Sequence, residues 1–463
     1  MRSFSVAISE NLSTQALAHL IRSDGQEDVC FALWAPSTGR NRDTAILTGL
    51  VLPERDDRAI HGNATFTSDF VQRAIGEALK QGAGLALIHS HPFPGWQGMS
   101  ADDIETELRL AGPCLGATGM SFIGLTVGND GTWSARSWLR SAPGKFVRRD
   151  AESVRVVGSS LKIDFHPTLR PTPMAQPELE RTISAWGPRA QADIARTRIG
   201  IIGLGSVGSI VAEGFARTGL EHLILMDHDV VEFRNLDRMI HATRKDALNK
   251  RLKVDVVGDA LDLHSTASHP NIERHPNQVQ TVAGYRAALD CDLLVCAVDR
   301  PWPRHILNVI SQAHLIPVID AGINVRTAKG QKLVGASWRA INTTPGCRCL
   351  ECYGQYDIAE VSLERSGQLD DPHYIAGLPD GHRLRGHENV AVFSFACAGL
   401  QLLQAMHKLI KPSRVDGPSV QTHHFVTGNI DCTHEPETCE PHCQIATYFL
   451  QGDAVEPSVG LLP

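Results

Sequence analysis

The sequence predicts an α/β protein built from two principal domains, and three stretches carry that expectation. From Arg198 to Arg238 a short apolar run (Ile199 to Ile202) meets Gly203-x-Gly205-x-x-Gly208, a helical pattern closes near Gly219, and a second apolar run (Leu223 to Met226) ends on Asp227. A strand, a glycine turn, a helix and a strand tipped by an acid make the nucleotide-binding half of a Rossmann-like fold. Ahead of it, Gly84 to His91 reads as a strand that ends in a His-x-His pair and leads to a helix opened by Ser100-Ala-Asp-Asp103. Behind it, Cys347-x-Cys349-x-x-Cys352 and Cys439-x-x-x-Cys443 have the spacing of zinc knuckles.

At 463 residues the chain is long enough for two or three domains, each with its own core. A net charge of −7 with scattered basic residues argues against nucleic acid as a partner. The N-terminus lacks the apolar core of a secretory leader and no run is long enough to span a bilayer, so a cytoplasmic protein without a membrane partner is expected. In that compartment the eleven cysteines read as thiols and metal ligands rather than disulfides.

Residues 1–145 read, in order, as a helix (Thr14 to Arg22), a strand (Val29 to Trp34), a second strand around Ala45 to Leu52 and a helix near Ser68 to Gln81. The His-x-His strand and its helix follow, and Ser121 to Val127 and Thr132 to Leu139 finish the domain. Residues two apart on a strand share a face, so His89 and His91 point the same way. With Asp103 they make three protein ligands and leave the fourth position of a zinc ion open, as a hydrolase requires.

The order His89-Ser-His91-Pro92, a loop, then Ser100-x-x-Asp103 resembles the JAB/MPN metalloprotease motif, known as JAMM. The resemblance implies zinc on His89, His91 and Asp103, with Ser100 stabilising the tetrahedral intermediate. It also implies Glu27, in GQEDVCFAL, as the base that takes a proton from the attacking water and returns it to the leaving amine. The interval from His91 to Ser100 is one residue longer than the family pattern, which puts the serine's role in question, although loops absorb single insertions. Read singly, these residues have plainer roles. Ser100-x-x-Asp103 is also a helix N-cap, Glu27 shares a turn with Asp24 and Asp28, and histidines beside a proline also occur at surfaces. The joint spacing favours the zinc site.

Residues 146–177 read as a linker in which Val154 to Ile163 forms a strand. His166 to Pro173 holds three prolines in eight residues, which stiffens the backbone and prevents helix.

In residues 178–463 the glycine turn by itself serves a dinucleotide and ATP equally. Asp227-x-Asp229, Asn235-Leu-x-Arg238, Lys253 and the strand-end Asp299 of LLVCAVD resemble the adenylating family of ThiF, MoeB and the ubiquitin-activating enzymes, over roughly the C-terminal 60% of the chain. Hydride transfer needs none of these charges, whereas attack of a carboxylate on an α-phosphate needs nearly all of them. The resemblance implies Gly203, Gly205, Gly208, Asp227, Asp229, Asn235, Arg238 and Lys253 around ATP, with Asp299 holding magnesium. It further implies a homodimer in which Arg181, on an entry helix from Glu180 to Gly187, reaches the partner's triphosphate. An exposed arginine on an amphipathic helix is the plainer reading of Arg181. Met239 stands where the family generally has glutamine, so one polar contact is missing. Lys250 and Arg251 lie close enough to Lys253 to compete for its role, and the five cations from Arg244 to Lys253 also suit a solvated helix face. Asp320, closing a strand from Ile316, reads as a cap or turn former outside the site.

The family commonly carries a structural zinc on two Cys-x-x-Cys pairs. Cys349 and Cys352 fit the first; Cys439 and Cys443 are stretched by one residue, which leaves His442 as an alternative to Cys443. Between Cys352 and the helix beginning near Glu388, where thioester-forming relatives carry a nucleophile, the sequence has no cysteine. Cys397 reads as core. Chemistry then stops at the acyl-adenylate, or the acyl group passes to a cysteine elsewhere, Cys347 and Cys432 included, or to a hydroxyl such as Ser362 or Ser366.

The whole resembles a JAB/MPN α/β domain fused to a Rossmann-like ThiF/MoeB-type adenylating domain with a structural zinc knuckle. This implies a bifunctional prokaryotic enzyme that activates the C-terminal glycine carboxylate of a ubiquitin-like or sulfur-carrier protein and hydrolyses peptide or isopeptide bonds to it. A conjugating-enzyme-like acceptor is a further partner. The alternatives are an adenylating sulfur-carrier or peptide-modifying biosynthetic enzyme with an accessory protease, and an NAD-binding oxidoreductase.

Overall fold

In the computed structural model, residues 2–61, 63–328, 332–377, 388–434 and 438–462 are described. The N-terminal unit (Met1–Thr172, with 313–315 and 450–455) is built on one nine-stranded sheet. Its elements are β1 (Ser3–Ser9), α1 (Glu10–Leu20), β2 (Val29–Thr38), β3 (Arg42–Val51), the ribbon β4 (Arg58–His61) and β5 (Asn63–Phe66), α2 (Ser68–Gln81), β6 (Gly84–His91) and α3 (Ala101–Thr118). β7 (Phe122–Gly128), β8 (Trp133–Ala142), β9 (Lys145–Asp150), β10 (Ser153–Val157) and β11 (Leu161–Phe165) complete it, in the order β11-β10-β1-β3-β2-β6-β7-β8-β9.

Alternation along the central strands divides the core in two. Leu12, Ala16 and Leu20 of α1 pack with Cys30, Ala32, Ala86 and Ile88 on one face. Phe70, Ala74 and Ala78 of α2 and Leu110 and Ala111 of α3 pack with Val29, Phe31, Leu85 and Leu87 on the other. Odd-numbered residues of β2 and β6 therefore face α2 and α3. That parity aims His89 and His91 at the start of α3.

The expected helix at Thr14 begins earlier, at Glu10, where Ser9 caps it by accepting from Leu12 N. The linker reading needs correction: 145–150, 153–157 and 161–165 are strands of this sheet. The single strand expected at Val154 to Ile163 is an antiparallel hairpin, and its first strand, β10, docks parallel to β1. That pairing joins residues some 150 positions apart, as in Ser5 with Ser153, which local periodicity does not reveal. The proline-rich segment from His166 is free of helix and strand, as expected. Residues 450–455 also leave the expected C-terminal domain; Asp453 accepts hydrogen bonds from Thr38 N (3.0 Å) and Thr38 Oγ1 (2.5 Å).

The second unit opens with α4 (Glu180–Trp186) and α5 (Pro188–Arg196), then β12 (Arg198–Ile202), α6 (Gly208–Arg217) and β13 (His222–Met226). α7 (Arg244–Leu248), α8 (Lys253–His264), β14 (Asn271–His275), α9 (Val282–Ala288), β15 (Leu293–Cys296) and α10 (Pro301–His314) follow. Next come β16 (Val318–Ala328), β17 (Lys332–Thr343), α11 (Ile358–Arg365), α12 (Pro372–Gly377), α13 (Ala391–Ile410), β18 (Val420–His424) and β19 (Ile430–Thr433). The sheet runs β14-β13-β12-β15-β16-β17-β18-β19, parallel as far as β16 and antiparallel beyond. The chain leaves β12 toward β13 on one side and returns to β15 on the other, so the sheet reverses its order at β12, the topological position at whose carboxyl ends open α/β sheets take ligands. Asp320 does not end a strand: it lies inside β16, fully buried, with Arg304 Nε 2.8 Å and Arg339 Nη2 3.4 Å away. A strand-interior carboxylate in a core persists only with such partners.

Candidate functional site

At the mouth of β12, Gly203 has φ +90°, and a Cβ there would stand 2.6 Å from the Ala297 carbonyl oxygen. A Cβ on Gly208 would stand 1.8 Å from the Gly203 carbonyl oxygen, so only glycine lets the turn close onto α6. Gly205 differs, because a Cβ there meets nothing within 4 Å, so packing does not require glycine at that position. Asp227, just past β13, is buried and accepts from Leu204 N (2.7 Å) and Asp229 N (2.8 Å), tying the glycine turn to the acid. Burial pushes the Asp227 carboxyl above its ordinary value, against the pull of Lys253.

Lys253 begins α8, is buried, and places Nζ 2.7 Å from Asp229 and 3.8 Å from Asp227. Burial opposes ionisation of Asp229, but the Lys253 hydrogen bond and charge outweigh it and hold that carboxyl low. Neither rival takes this place: Lys250 is exposed and Arg251 pairs with Asp246 (3.0 Å) and Asp259 (2.5 Å). Asp299 stands exposed beyond β15, two residues after Ala297, whose carbonyl lies against Gly203. Asn235 and Arg238 are bound within their own segment, Asn235 Oδ1 accepting from Glu232 N (3.0 Å) and Arg238 donating to the Arg234 carbonyl (2.7 Å). Met239 is buried and Arg181 exposed on α4. Among the described residues no hydrogen bond or ion pair joins Asn235, Arg238 or Arg181 to the Asp227–Asp229–Lys253 group.

In the N-terminal unit the parity of β6 brings His89 Nε2 within 3.1 Å of His91 Nε2 and 3.4 Å of Asp103, and His91 within 3.5 Å of Asp103. Val29 pairs with His89, and continuing that register sets Glu27 opposite His91, whose Nε2 lies 3.9 Å from its carboxylate. Burial raises the Glu27 carboxyl despite the nearby imidazoles. Its neighbours are committed elsewhere: Asp24 binds Arg22 (2.6 Å), and buried Asp28 binds Arg58 (2.7 Å). Ser100 is the N-cap of α3, accepting from Asp103 N (3.1 Å), while Asp103 accepts from Ser100 N (2.8 Å). The cap therefore also orients Asp103 toward the histidines. The longer loop after His91 is fastened by Gln97, which donates to the carbonyls of Phe93, Pro94 and Gly95.

The cysteine cluster comprises Cys349, Cys352, Cys439 and Cys443, whose sulfurs lie within 4.8 Å of one another. Cys349 and Cys443 sulfurs are 3.6 Å apart, close to the ~3.8 Å edge of a tetrahedron with Zn–S bonds of ~2.3 Å. Cys349 N donates to Cys439 Sγ and Glu440 N to Cys352 Sγ (3.3 and 3.5 Å), as knuckle backbones do toward thiolates. Cys443, not His442, occupies the fourth place.

The ThiF family profile matches residues 179–445, more than half of the chain. The chain belongs to the ThiF family. Over 149 residues it is 26% identical to the ubiquitin-like modifier-activating enzyme 5 of Drosophila willistoni, covering 30% of this chain and 36% of that protein. Over 155 residues it is 27% identical to the tRNA threonylcarbamoyladenosine dehydratase of Escherichia coli, covering 30% of this chain and 52% of that protein. The chain thus spans about a third to a half of the length of these curated relatives. A crystal structure of E. coli MccB with ATP is similar at 17% identity and TM-score 0.44, over 58% of this chain and 74% of that one.

Within the ThiF region several residues escape sequence reasoning. Asn389 donates to Ser206 Oγ in the glycine turn (2.8 Å) and accepts from Ser394 (3.0 Å); an isolated asparagine before a helix gives no signal of this. Arg304 bonds the Val298 carbonyl (2.7 Å) as well as Asp320, bracing the backbone just ahead of Asp299. The buried acid within an apolar run was the available clue. In the N-terminal unit, Glu107 and Arg136 form a buried pair behind His89, with Arg136 donating to Thr126 Oγ1 (2.6 Å), itself 3.5 Å from His89 Nε2. Cys397 is fully buried, its thiol pushed up to about 12 by burial, which suits core rather than nucleophile. Ser362 and Ser366 hydroxyls bond back to the Ile358 and Leu363 carbonyls of their own helix.

Proposed function

We propose that this chain is a bifunctional enzyme that adenylates the C-terminal glycine carboxylate of a ubiquitin-like or sulfur-carrier protein and hydrolyses peptide or isopeptide bonds to such a protein. One observation carries the first activity: the glycine turn, Asp227, Asp229, buried Lys253 and Asp299 gather at the carboxyl ends of β12, β13 and β15. Backbone N–H groups of the turn and the start of α6 suit phosphates, and Asp227 suits ribose hydroxyls. A substrate carboxylate oxygen attacks the α-phosphorus of ATP, the bond to the bridging oxygen breaks, and pyrophosphate leaves. Lys253 offsets the charge on the phosphates, as does the magnesium that Asp299 would hold. In this reading Arg238 serves the phosphates of its own chain and the exposed Arg181 those of the partner in a homodimer. Membership of the ThiF family supports ATP over the nicotinamide reading.

His89, His91 and Asp103 fit zinc by donor type and by spacing. Bound by these three residues, a zinc ion would supply Lewis acidity toward a carbonyl and water. Glu27 then takes the water's proton and delivers it to the leaving amine, and its partly buried, raised carboxyl suits both transfers. Ser100, while accepting from Asp103 N, keeps its own proton to donate to the tetrahedral oxyanion. The four cysteines suit a closed, structural zinc site. The buried Cys397 favours release or transfer of the acyl-adenylate over a thioester on that helix, toward an external or conjugating-enzyme-like acceptor.

ATP–pyrophosphate exchange with small carriers ending in glycine tests the first activity. Exchange that Asp299→Ala abolishes is expected; no exchange with any carrier, given folded protein, sinks the adenylation reading. A thiocarboxylate product would favour the sulfur-carrier pathway over protein conjugation. No helix of the described residues is long and apolar enough to cross a membrane, and a cytoplasmic location forms part of the proposal.

A further inference from the structure

Glu213, His241 and His264 form a second group of metal-ligating side chains, for which the nucleotide crevice has no use. Glu213 Oε2 lies 3.0 Å from His264 Nδ1 and 3.3 Å from His241 Nε2. An ion bonded to imidazole nitrogen and carboxylate oxygen at ~2.0–2.2 Å sets neighbouring donors ~3.0–3.5 Å apart in tetrahedral or octahedral geometry. His89, His91 and Asp103 show the same separations, 3.1 to 3.5 Å. His241 Nε2 is buried and makes no hydrogen bond although Glu213 is so near. His264 Nδ1 hydrogen-bonds the same carboxylate oxygen, so His241 Nε2 stands at ion-pair distance but outside hydrogen-bond geometry, an arrangement that one ion shared by the two imidazoles and the carboxylate accounts for. The other oxygen of Glu213 accepts from Arg217 Nε (2.6 Å), the kind of outer contact that fixes a ligating carboxylate. His241 has φ 71°, an uncommon conformation for a residue with a side chain.

The three donors come from three segments. Glu213 is on α6, whose first residue is Gly208; His264 closes α8, whose first residue is Lys253; His241 follows Arg238 by three positions. We propose that Glu213, His241 and His264 bind a divalent transition-metal ion, zinc being the one best suited to two imidazoles and a carboxylate, and that this ion fastens together the segments carrying Gly208, Arg238 and Lys253. Ion binding stands on the cluster alone; the effect on the crevice rests on the nucleotide reading above.

Cobalt(II) titration of the metal-stripped full chain separates the sites. In the His89→Ala/His91→Ala variant the N-terminal site is gone, and the Glu213 cluster is untouched. Two cobalt ions per chain are then expected, one with intense thiolate absorption and one with weak nitrogen–oxygen bands alone. Adding His241→Gln and His264→Gln should remove the weak-band ion, lowering affinity by more than ~100-fold, with circular dichroism confirming the fold. Cobalt with thiolate absorption only in the first variant, or a weak-band ion that survives the added changes, overturns the site. In the otherwise unaltered chain, His241→Gln/His264→Gln should raise KM for ATP in pyrophosphate exchange more than it lowers kcat. An unchanged KM overturns the fastening role. Absence of exchange even from the unaltered chain defeats the nucleotide reading instead, and the cobalt titration still decides the site.

Discussion

Glu27 and Asp28 are adjacent acids with opposite fates, and strand parity separates them. Glu27 continues the odd-numbered face of β2 toward His91, whereas Asp28 turns to the α1 side, where His19 lies 3.7 Å away and Arg58 binds it. Glu27→Gln should therefore lower peptide hydrolysis by ~10²–10⁴-fold, the usual worth of a general base, with zinc content unchanged. Asp28→Asn should instead lower Tm, because it removes the buried charge that the partly exposed Arg58 pairs with; cleavage assays, metal analysis and thermal melts distinguish the two. Glu364 offers a pH test in the other unit. Burial, opposed by the hydrogen bond from Trp302 N, pushes its carboxyl from 4.5 to about 7. The folded state thus binds the proton more tightly than the unfolded chain, so its contribution is fully present below pH 4.5 and is lost as pH rises through about 7. Tm measured across that window should fall less steeply in Glu364→Gln than in the unaltered chain.

Among the elements, α3 does double service, because the bonds that cap it also hold Asp103. Ser100→Ala should cost about 1 kcal/mol of stability through the lost cap and weaken zinc retention. Ser100→Thr restores the cap, so recovery of Tm and zinc would assign the residue to positioning, and any remaining deficit in kcat measures its part in the chemistry. The N-cap reading of Ser100-x-x-Asp103 and the metal-ligand reading of Asp103 are thus compatible rather than rival. The knuckles resolve likewise. If the proposed structural zinc is bound there, Cys443→Ser should release it and lower Tm, whereas His442→Ala should leave both unchanged, as read by metal analysis and melting.

Across the whole molecule, the proposed chemistries sit in two units with separate sheets. Asp299→Ala should abolish pyrophosphate exchange and spare cleavage, and His91→Ala should do the reverse. Loss of both activities from either change, in folded protein, would falsify the two-site reading. The second unit's sheet reverses its order at β12, which is why the acids that follow β13 and β15 flank the end of the same strand although they are far apart in sequence.

The glycine turn, the β12 and β13 strands, the helices α2 and α3 and the His-x-His strand were legible in the sequence, because backbone sterics and side-chain period act over a few residues. The spacing of Cys349 and Cys352 was legible for the same reason. The tertiary structure alone decided the rest. It joined β10 to β1 and so converted an expected linker into sheet. It buried Lys253 beside Asp229 while leaving Lys250 in solvent, and paired Asp320 with Arg304 inside the core. It also drew Glu213, His241 and His264 together. Each of these depends on which distant group neutralises a charge or satisfies a backbone once water is excluded, and that information resides in the packing rather than in any local run of residues.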